Sequence, residues 1–203
     1  MKLFCTENSP FSRVARVLVI ELGLEAIIEI TTVTVRDKHS QLLAYTASGK
    51  VPALYLGSSR TLCDTRMIAQ YLGHIAGQVN VVASVDEIED YAFEGFCLSV
   101  LESFCVWVRE ARRDPGQISQ QLIELERARA IRCLGYLEEQ VERLEQRFTL
   151  AAIAIACALD IADRRLGFTT DKQHPKLQQW LVNVNSRASM QASVPQKLLQ
   201  QAR

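Results

Sequence analysis

The stretch Glu7-Asn8-Ser9-Pro10-Phe11-Ser12-Arg13-Val14-Ala15-Arg16-Val17-Leu18 decides the reading of the fold. It opens as a polar turn. It continues with apolar residues at 11, 14, 15, 18 and 22, which is the spacing of one helix face. Gly23 follows as a C-terminal stop. Ser9 is an N-cap residue type. Pro10 suits the first helical position, where a missing N–H removes no intrahelical bond. Ahead of the turn, Lys2 to Thr6 is a short apolar run that reads as a strand.

Outward from this strand and helix, Ala26 to Val35 is rich in Ile, Val and Thr and reads as a second strand. A polar, poorly periodic segment fills Arg36 to Lys50. Val51 to Leu56 and Thr61 to Cys63 read as a strand pair around the turn Gly57-Ser58-Ser59-Arg60. Pro52 cannot donate to a strand ladder, so it needs an edge or a special turn, which a cis Val51–Pro52 bond would provide. Asp64 and Thr65 are N-cap types, and Met67, Ile68, Tyr71 and Leu72 have helical spacing. The order in residues 1–75 is therefore strand, helix, strand, loop, strand, strand, helix.

The character changes after Gly73. Residues 76–85 read as a linker, and residues 86–203 as an all-helical domain. Asp86 to Arg113 reads as one long helix ended by Asp114-Pro115-Gly116. Ile118 to Phe148 reads as another, with a stripe of Leu122, Leu125, Ile131, Leu134, Leu137, Val141 and Leu144. Leu150 to Leu166, capped by Thr149, is apolar nearly all round, as a helix buried on all sides would be. His174 to Arg187 is a further amphipathic helix. The fold class expected is thus an α/β N-terminal domain followed by an all-α bundle.

Composition excludes several functions. The 23 basic and 23 acidic residues of the 203-residue chain cancel, which argues against a nucleic-acid or anionic-membrane partner. No uninterrupted apolar run reaches the roughly eighteen residues of a membrane span. The start, Met1-Lys2-Leu3-Phe4-Cys5, lacks a long apolar segment with a small-residue cleavage site, so no secretory signal is expected. The six cysteines form no C-x-x-C pair and read as reduced thiols, which suits a cytoplasmic protein. His39, His74 and His174 lie near no cysteine in sequence, so no metal site is expected.

Ser9 is the candidate for chemistry. A hydroxyl at a helix N-terminus sits beside unpaired backbone N–H groups and the positive end of the helix dipole. That environment suits an anion such as a thiolate. A hydroxyl that donates to the sulfur favours the charged form and lowers its pKa. From the residues alone, Ser9 reads equally as this donor or as an N-cap.

Ser9-Pro10-Phe11-Ser12 stands where glutaredoxin-like proteins hold C-P-Y-C or C-P-F-C, with both cysteines replaced by serine. The series S-P-F-S-R-V-A-R-V-L-V-I-E-L-G-L from Ser9, G-K-V-P-A-L from Gly49 and L-C-D-T-R-M-I-A-Q-Y-L from Leu62 resembles the glutathione-binding half of the cytosolic glutathione transferases. In the second half, F-T-L-A-A-I-A from Phe148 is similar to the family's S/T-L-A-D-I-A. His174-Pro175 through Trp180 is similar to its H-P-x-L-x-x-W. The resemblance spans nearly the whole chain, and the short serine-type motif is closest to bacterial members.

The resemblance implies a thioredoxin-like domain that binds glutathione as co-substrate, with no other cofactor. Ser9 would donate to the glutathione sulfur and act as the catalytic residue. Val51, followed by a cis bond to Pro52, would pair with the cysteinyl backbone as an added strand does. Lys50 would meet the glycyl carboxylate. Asp64 would accept from the γ-glutamyl ammonium, and Thr65 would hold the γ-glutamyl carboxylate. Phe11, Phe104, Trp107 and Val108 would line a pocket for a hydrophobic electrophile, in a detoxifying, cytoplasmic homodimer.

The chain departs from the family at three places. Thr46-Ala47-Ser48-Gly49 stands for N-P-x-G. Ala152 stands for the capping-box Asp, which removes the reciprocal bond. Arg187-Ala188-Ser189 stands for R-P-S. Two other functions fit the same fold: a glutathione-dependent reductase or lyase, which would need a thiol such as Cys5, and a non-enzymatic protein-binding module like the stringent starvation proteins.

Overall fold

The computed structural model describes residues 1–170 and 172–195, and these fall into two compact units. The first holds Met1–Val79 and the described residues from Ala188 onward; the second is Asn80–Arg187.

In the first unit, β1 (Lys2–Cys5) leads through α1 (Pro10–Glu21) to β2 (Glu29–Thr32), which pairs parallel with β1. A parallel return needs a crossover connection, and α1 is that crossover. After a short 3₁₀ turn at Gln41–Ala44 come β3 (Ala53–Gly57), β4 (Arg60–Cys63) and α2 (Thr65–Ile75). β3 runs antiparallel to both β1 and β4, giving the order β2-β1-β3-β4. Ser58 and Ser59 both have positive φ, 51° and 60°, as the two central residues of a type I′ hairpin turn require. Pro52 stands just ahead of the first ladder residue of a central strand, so its missing N–H interrupts nothing.

The second strand is shorter than the sequence suggests. Its first residues form a turn instead, with the Ile27 and Ile28 N–H groups both donating to the Leu24 carbonyl. The strand lies at the sheet edge, and Ile27 and Ile30 are exposed.

The two sheet faces are filled differently. Phe4 and Ala53 pack with Val33 and Leu42, with Tyr45, Val51, Tyr55 and Cys63 around them. Successive strand residues alternate in direction, so Leu3 and Leu54 turn to the other face. There the two helices contribute buried Val14, Leu18, Ile68 and Leu72.

The described residues from Ala188 onward, expected in the helical domain, belong to the first unit. They include α8 (Ala188–Ala192), which packs on α1. Polar contacts hold it there. Arg13, only 2% exposed, donates from Nε to Ser193 Oγ at 3.2 Å and from Nη2 to the Met190 carbonyl at 3.1 Å. Ser189 Oγ donates to the Glu21 carboxylate. A buried cation costs heavily unless its donors are satisfied, so Arg13 fixes where this segment lies.

The second unit is built from α3 (Ile88–Ala111), α4 (Gln120–Glu139), α5 (Val141–Gln146), α6 (Leu150–Leu166) and α7 (Pro175–Asn185). The expected helix over 118–148 is broken at Gln140, whose N–H donates to both the Tyr136 and Leu137 carbonyls. The bend keeps Val141 and Leu144 buried while Arg143 reaches the Asp90 carboxylate at 2.7 Å. The last expected helix, over 174–187, forms as α7, and α8 follows it beyond that range.

By length and composition α3 is apolar enough to cross a membrane, contrary to the sequence expectation. Its Cys97, Val100, Leu101 and Phe104 are buried, and the helix packs against α4 and α6. It also carries Glu89, Asp90, Glu94, Glu102 and Glu110. Packing inside the unit accounts for its apolarity. Thr149 does not cap α6 through its side chain, but Gly167 closes the other end with φ 62°.

Candidate functional site

The sheet register gathers the three sequence motifs of the first unit. Phe4 of β1 pairs with Ala53 of β3, and Ala53 pairs with Cys63 of β4. β1 leaves this row toward Ser9, β3 arrives from Lys50, Val51 and Pro52, and β4 leaves toward Asp64 and Thr65. Because β3 is antiparallel to both neighbours, all three segments emerge from the same end of the sheet. Neighbouring strands lie about 4.8 Å apart, so the three segments leave the sheet within about 10 Å of one another.

Ser9 is half-buried and is the N-cap of α1. Its Oγ accepts from the Ser12 N–H at 3.2 Å. Ser12 Oγ in turn accepts from the Thr6 N–H at 3.4 Å, so the loop between β1 and α1 is held by the first turn of the helix it introduces. The two readings of Ser9 are therefore compatible: capping uses an acceptor lone pair, and the hydroxyl proton stays available to a ligand.

The Val51–Pro52 peptide bond is cis, with Val51 half-buried and Pro52 buried. Lys50 is exposed beside it. Asp64 is exposed and caps α2 through Oδ1, which accepts from the Arg66 N–H at 2.9 Å. Capping occupies one carboxylate oxygen, and the other can accept from a cation. Thr65 follows, 6% exposed, with its backbone N–H at the helix start. Asp64 has φ 73° and ψ 134°, outside the regions an L residue ordinarily adopts. Such a conformation costs on the order of 1–3 kcal/mol and is concentrated at functional sites. No motif in the sequence signals this strain; the Asp-Thr pair reads only as an N-cap.

The remaining predicted residues do not join this group in one way. Phe11 is half-buried on α1, two residues from Ser9. Phe104, Trp107 and Val108 belong to the second unit and are buried. Phe104 and Trp107 stack with ring centroids 6.3 Å apart, and Phe168 lies 5.9 Å and 5.2 Å from them. In this arrangement the two rings serve as packing residues of the helical unit. Cys5 is 2% exposed, and burial pushes its thiol up to about 11 against the opposing charge of Arg16 and a contact with Ser12. Among the described residues no cluster of His, Cys, Asp and Glu could hold a metal.

The chain as a whole has the glutathione transferase fold: a thioredoxin-like N-terminal domain and a helical C-terminal region. More particularly, residues 3–80 match the family model described as "Glutathione S-transferase, N-terminal domain". A glutathione S-transferase from Methylobacillus flagellatus, solved with glutathione bound, superposes with a TM-score of 0.85 at 25% identity, covering 96% of this chain and 98% of that one. A glutathione transferase family member from Pseudomonas fluorescens, also with bound glutathione, superposes with a TM-score of 0.84 at 26% identity over the same shares. The sequence matches no curated protein.

Proposed function

We propose that this chain is a glutathione transferase that joins the glutathione thiolate to a hydrophobic electrophile. The observation that carries the reading is the register row Phe4–Ala53–Cys63, which brings the Ser9, Lys50-Val51-Pro52 and Asp64-Thr65 segments to one end of the sheet. The match of residues 3–80 and the bound glutathione of the two solved relatives support the same ligand.

Each segment meets a different part of the tripeptide. Asp64 takes the γ-glutamyl ammonium on the carboxylate oxygen not used for capping. Thr65, at the N-terminus of α2, takes the γ-glutamyl carboxylate by its hydroxyl and backbone N–H. Val51 pairs with the cysteinyl backbone, and Lys50 meets the glycyl carboxylate. Ser9 donates its hydroxyl proton to the sulfur. A free thiol is only a few per cent ionised at neutral pH, so a donor that favours the thiolate raises the fraction able to react. The thiol proton leaves to solvent; the sulfur lone pair then attacks the electrophilic carbon, expelling halide from an aryl halide or opening the C–O bond of an epoxide, whose oxygen takes a proton from water. Holding both reactants together lowers the barrier through proximity. Phe11, on the helix that Ser9 introduces, contributes an apolar wall for the electrophile.

The reductase reading is weaker, because Cys5 is buried and its thiol is held in the neutral form. The proposed setting is the cytoplasm, in a detoxifying role, consistent with all six cysteines being thiols. The assembly proposed is a homodimer, which a light-scattering mass equal to the 22.8 kDa of one chain would rule out.

The deciding experiment measures the melting temperature with glutathione, and then conjugation to a panel of aryl halides and epoxides. At a hundredfold excess over its dissociation constant, glutathione adds about 2.7 kcal/mol of stability. Asp64→Ala removes the ammonium's partner and weakens binding by about 1.5–3 kcal/mol. A melting temperature unmoved by millimolar glutathione sinks the assignment. Binding without conjugation leaves a glutathione-binding protein of another activity.

A further inference from the structure

Two arginines on α1 connect the Ser9 loop to a part of the chain almost 180 residues away in sequence. Arg13 holds Ser193 and the Met190 carbonyl. Arg16, one turn further on, uses Nη2 twice: it donates to the Glu7 carbonyl at 3.4 Å and to the Ser193 carbonyl at 3.3 Å. Glu7 lies in the loop between β1 and α1, two residues before Ser9. Ser193 is itself 1% exposed and fixed, its N–H donating to the Ser189 carbonyl at 3.1 Å. The guanidinium thus bridges the loop that carries Ser9 and a buried anchor in the C-terminal segment.

We propose that Arg16 is a positioning residue for Ser9, and that the segment from Ala188 to Val194 is the strap that keeps its guanidinium turned toward Glu7. The inference rests on the reading of Ser9 as the donor to the glutathione sulfur. On the helix side, the loop is held by the Ser9–Ser12 and Ser12–Thr6 contacts, at 3.2 and 3.4 Å. These fix the cap but leave the Glu7 peptide to be oriented from behind. Each Arg16 bond is long, so neither alone defines the loop. Together they tie Glu7 and Ser193 to one nitrogen, Nη2, whose two N–H directions are fixed in the guanidinium plane, whereas an ammonium on its flexible stem can rotate. A hydroxyl displaced by a fraction of an ångström from the sulfur loses much of its hold on the thiolate, because such bonds weaken steeply with misalignment. The strap carries no side chain that needs to touch glutathione; its effect on chemistry passes through Arg16.

The test uses the full chain with Arg16→Gln, Arg16→Lys and Ser193→Ala, the last removing the Arg13 contact while leaving the Ser193 carbonyl in place. Amide hydrogen exchange of Thr6 to Ser9, without glutathione, reads the loop directly. Exchange should rise several-fold in Arg16→Gln and less in the other two. With glutathione, the apparent pKa of the bound thiol should rise by about half to one unit in Arg16→Gln, which is about a threefold to tenfold loss of thiolate below that pKa. Its rate should fall by the same factor near neutral pH, with the KM for the electrophile unchanged. Arg16→Lys should recover part of both. If Arg16→Gln lowers the melting temperature but leaves loop exchange and thiol pKa as in wild type, Arg16 is only a structural tether and the proposal is wrong. If wild type fails to bind glutathione, the functional assignment falls, while the exchange data still decide whether Arg16 orders the loop.

Discussion

Helices α1 and α6 both begin at a hydroxyl residue, and the two starts are built in opposite ways. Ser9 accepts from the Ser12 N–H, and its loop is tied down by Ser12 and Arg16. Thr149 makes no side-chain cap bond. The helix behind Thr149 has little need of one: Leu150 to Leu159 are all buried, and so are Ile161 and Ala162. A helix buried on all sides over most of its length takes its stability from packing rather than from local signals. α1 is also well packed, yet its first turn is arranged by polar contacts, as the role proposed for Ser9 would require. A capping residue is thus a candidate for function where side chains from elsewhere are spent on orienting it, and a dispensable remnant where burial already fixes the helix.

Removing volume from the buried helix gives the largest expected effect. Ile153→Ala, at a position with 0% exposure, should lower unfolding free energy by about 2–5 kcal/mol in denaturant titration, with a cavity left behind. If glutathione is held by the first unit, its affinity at a temperature where the variant is folded should stay within twofold of wild type. A loss below about 1 kcal/mol would mean that α6 repacks easily, and the contrast with α1 would lose its basis.

Ser9→Ala comes next and should act on two measurements at once. Loss of the cap costs about 1 kcal/mol of stability. Loss of a hydrogen bond to a charged sulfur is worth about 1.5–3 kcal/mol, so the apparent pKa in a pH–rate profile should rise by about one to two units. With the thiol pKa raised, the rate lost at neutral pH should return as pH climbs past the new value. A stability loss with an unchanged profile would make Ser9 a cap only, with Thr6, Ser12 or backbone amides of the same loop holding the thiolate.

Thr149→Ala should be the smallest change, within about 0.5 kcal/mol of wild type, since no side-chain bond is lost at that helix start. A loss approaching that of Ser9→Ala would show that the two helix starts are less different than their geometry implies.

Much of the first unit was legible in the sequence because its signals are local. Ser9-Pro10, the Gly57 to Arg60 turn and Asp64 are residues whose own conformational preferences punctuate the chain, and each stands at an element boundary in the structure. Leu150 to Leu166 was legible for a different reason: a run so apolar has no stable place except a core, and it forms a helix over those residues. Less was visible where the outcome depends on distant partners. The ten-residue strand expected from Ala26 shrank to Glu29–Thr32 because only β1 is available to pair with it. The 118–148 helix broke at Gln140 with neither Gly nor Pro to mark the place, and the arginine beyond the break meets Asp90, 53 residues earlier.

By itself the sequence determined the strand and helix order of the first unit, the candidate residues at its sheet end and the helical nature of the second unit, since each is written in residue types a few positions apart. Only the tertiary structure decided which of those residues meet. The register Phe4–Ala53–Cys63 brings the three motif segments to one end of the sheet, and pairing of strands distant in sequence leaves no local trace. The positive φ of Asp64 and the burial of Phe104 and Trp107 were settled in the same way, by surroundings supplied from elsewhere in the chain. So was the allegiance of residues 188–195: nothing in so short a segment names the domain it joins, and it was the buried guanidinium of Arg13, unable to lose its water without new acceptors, that fixed it to α1.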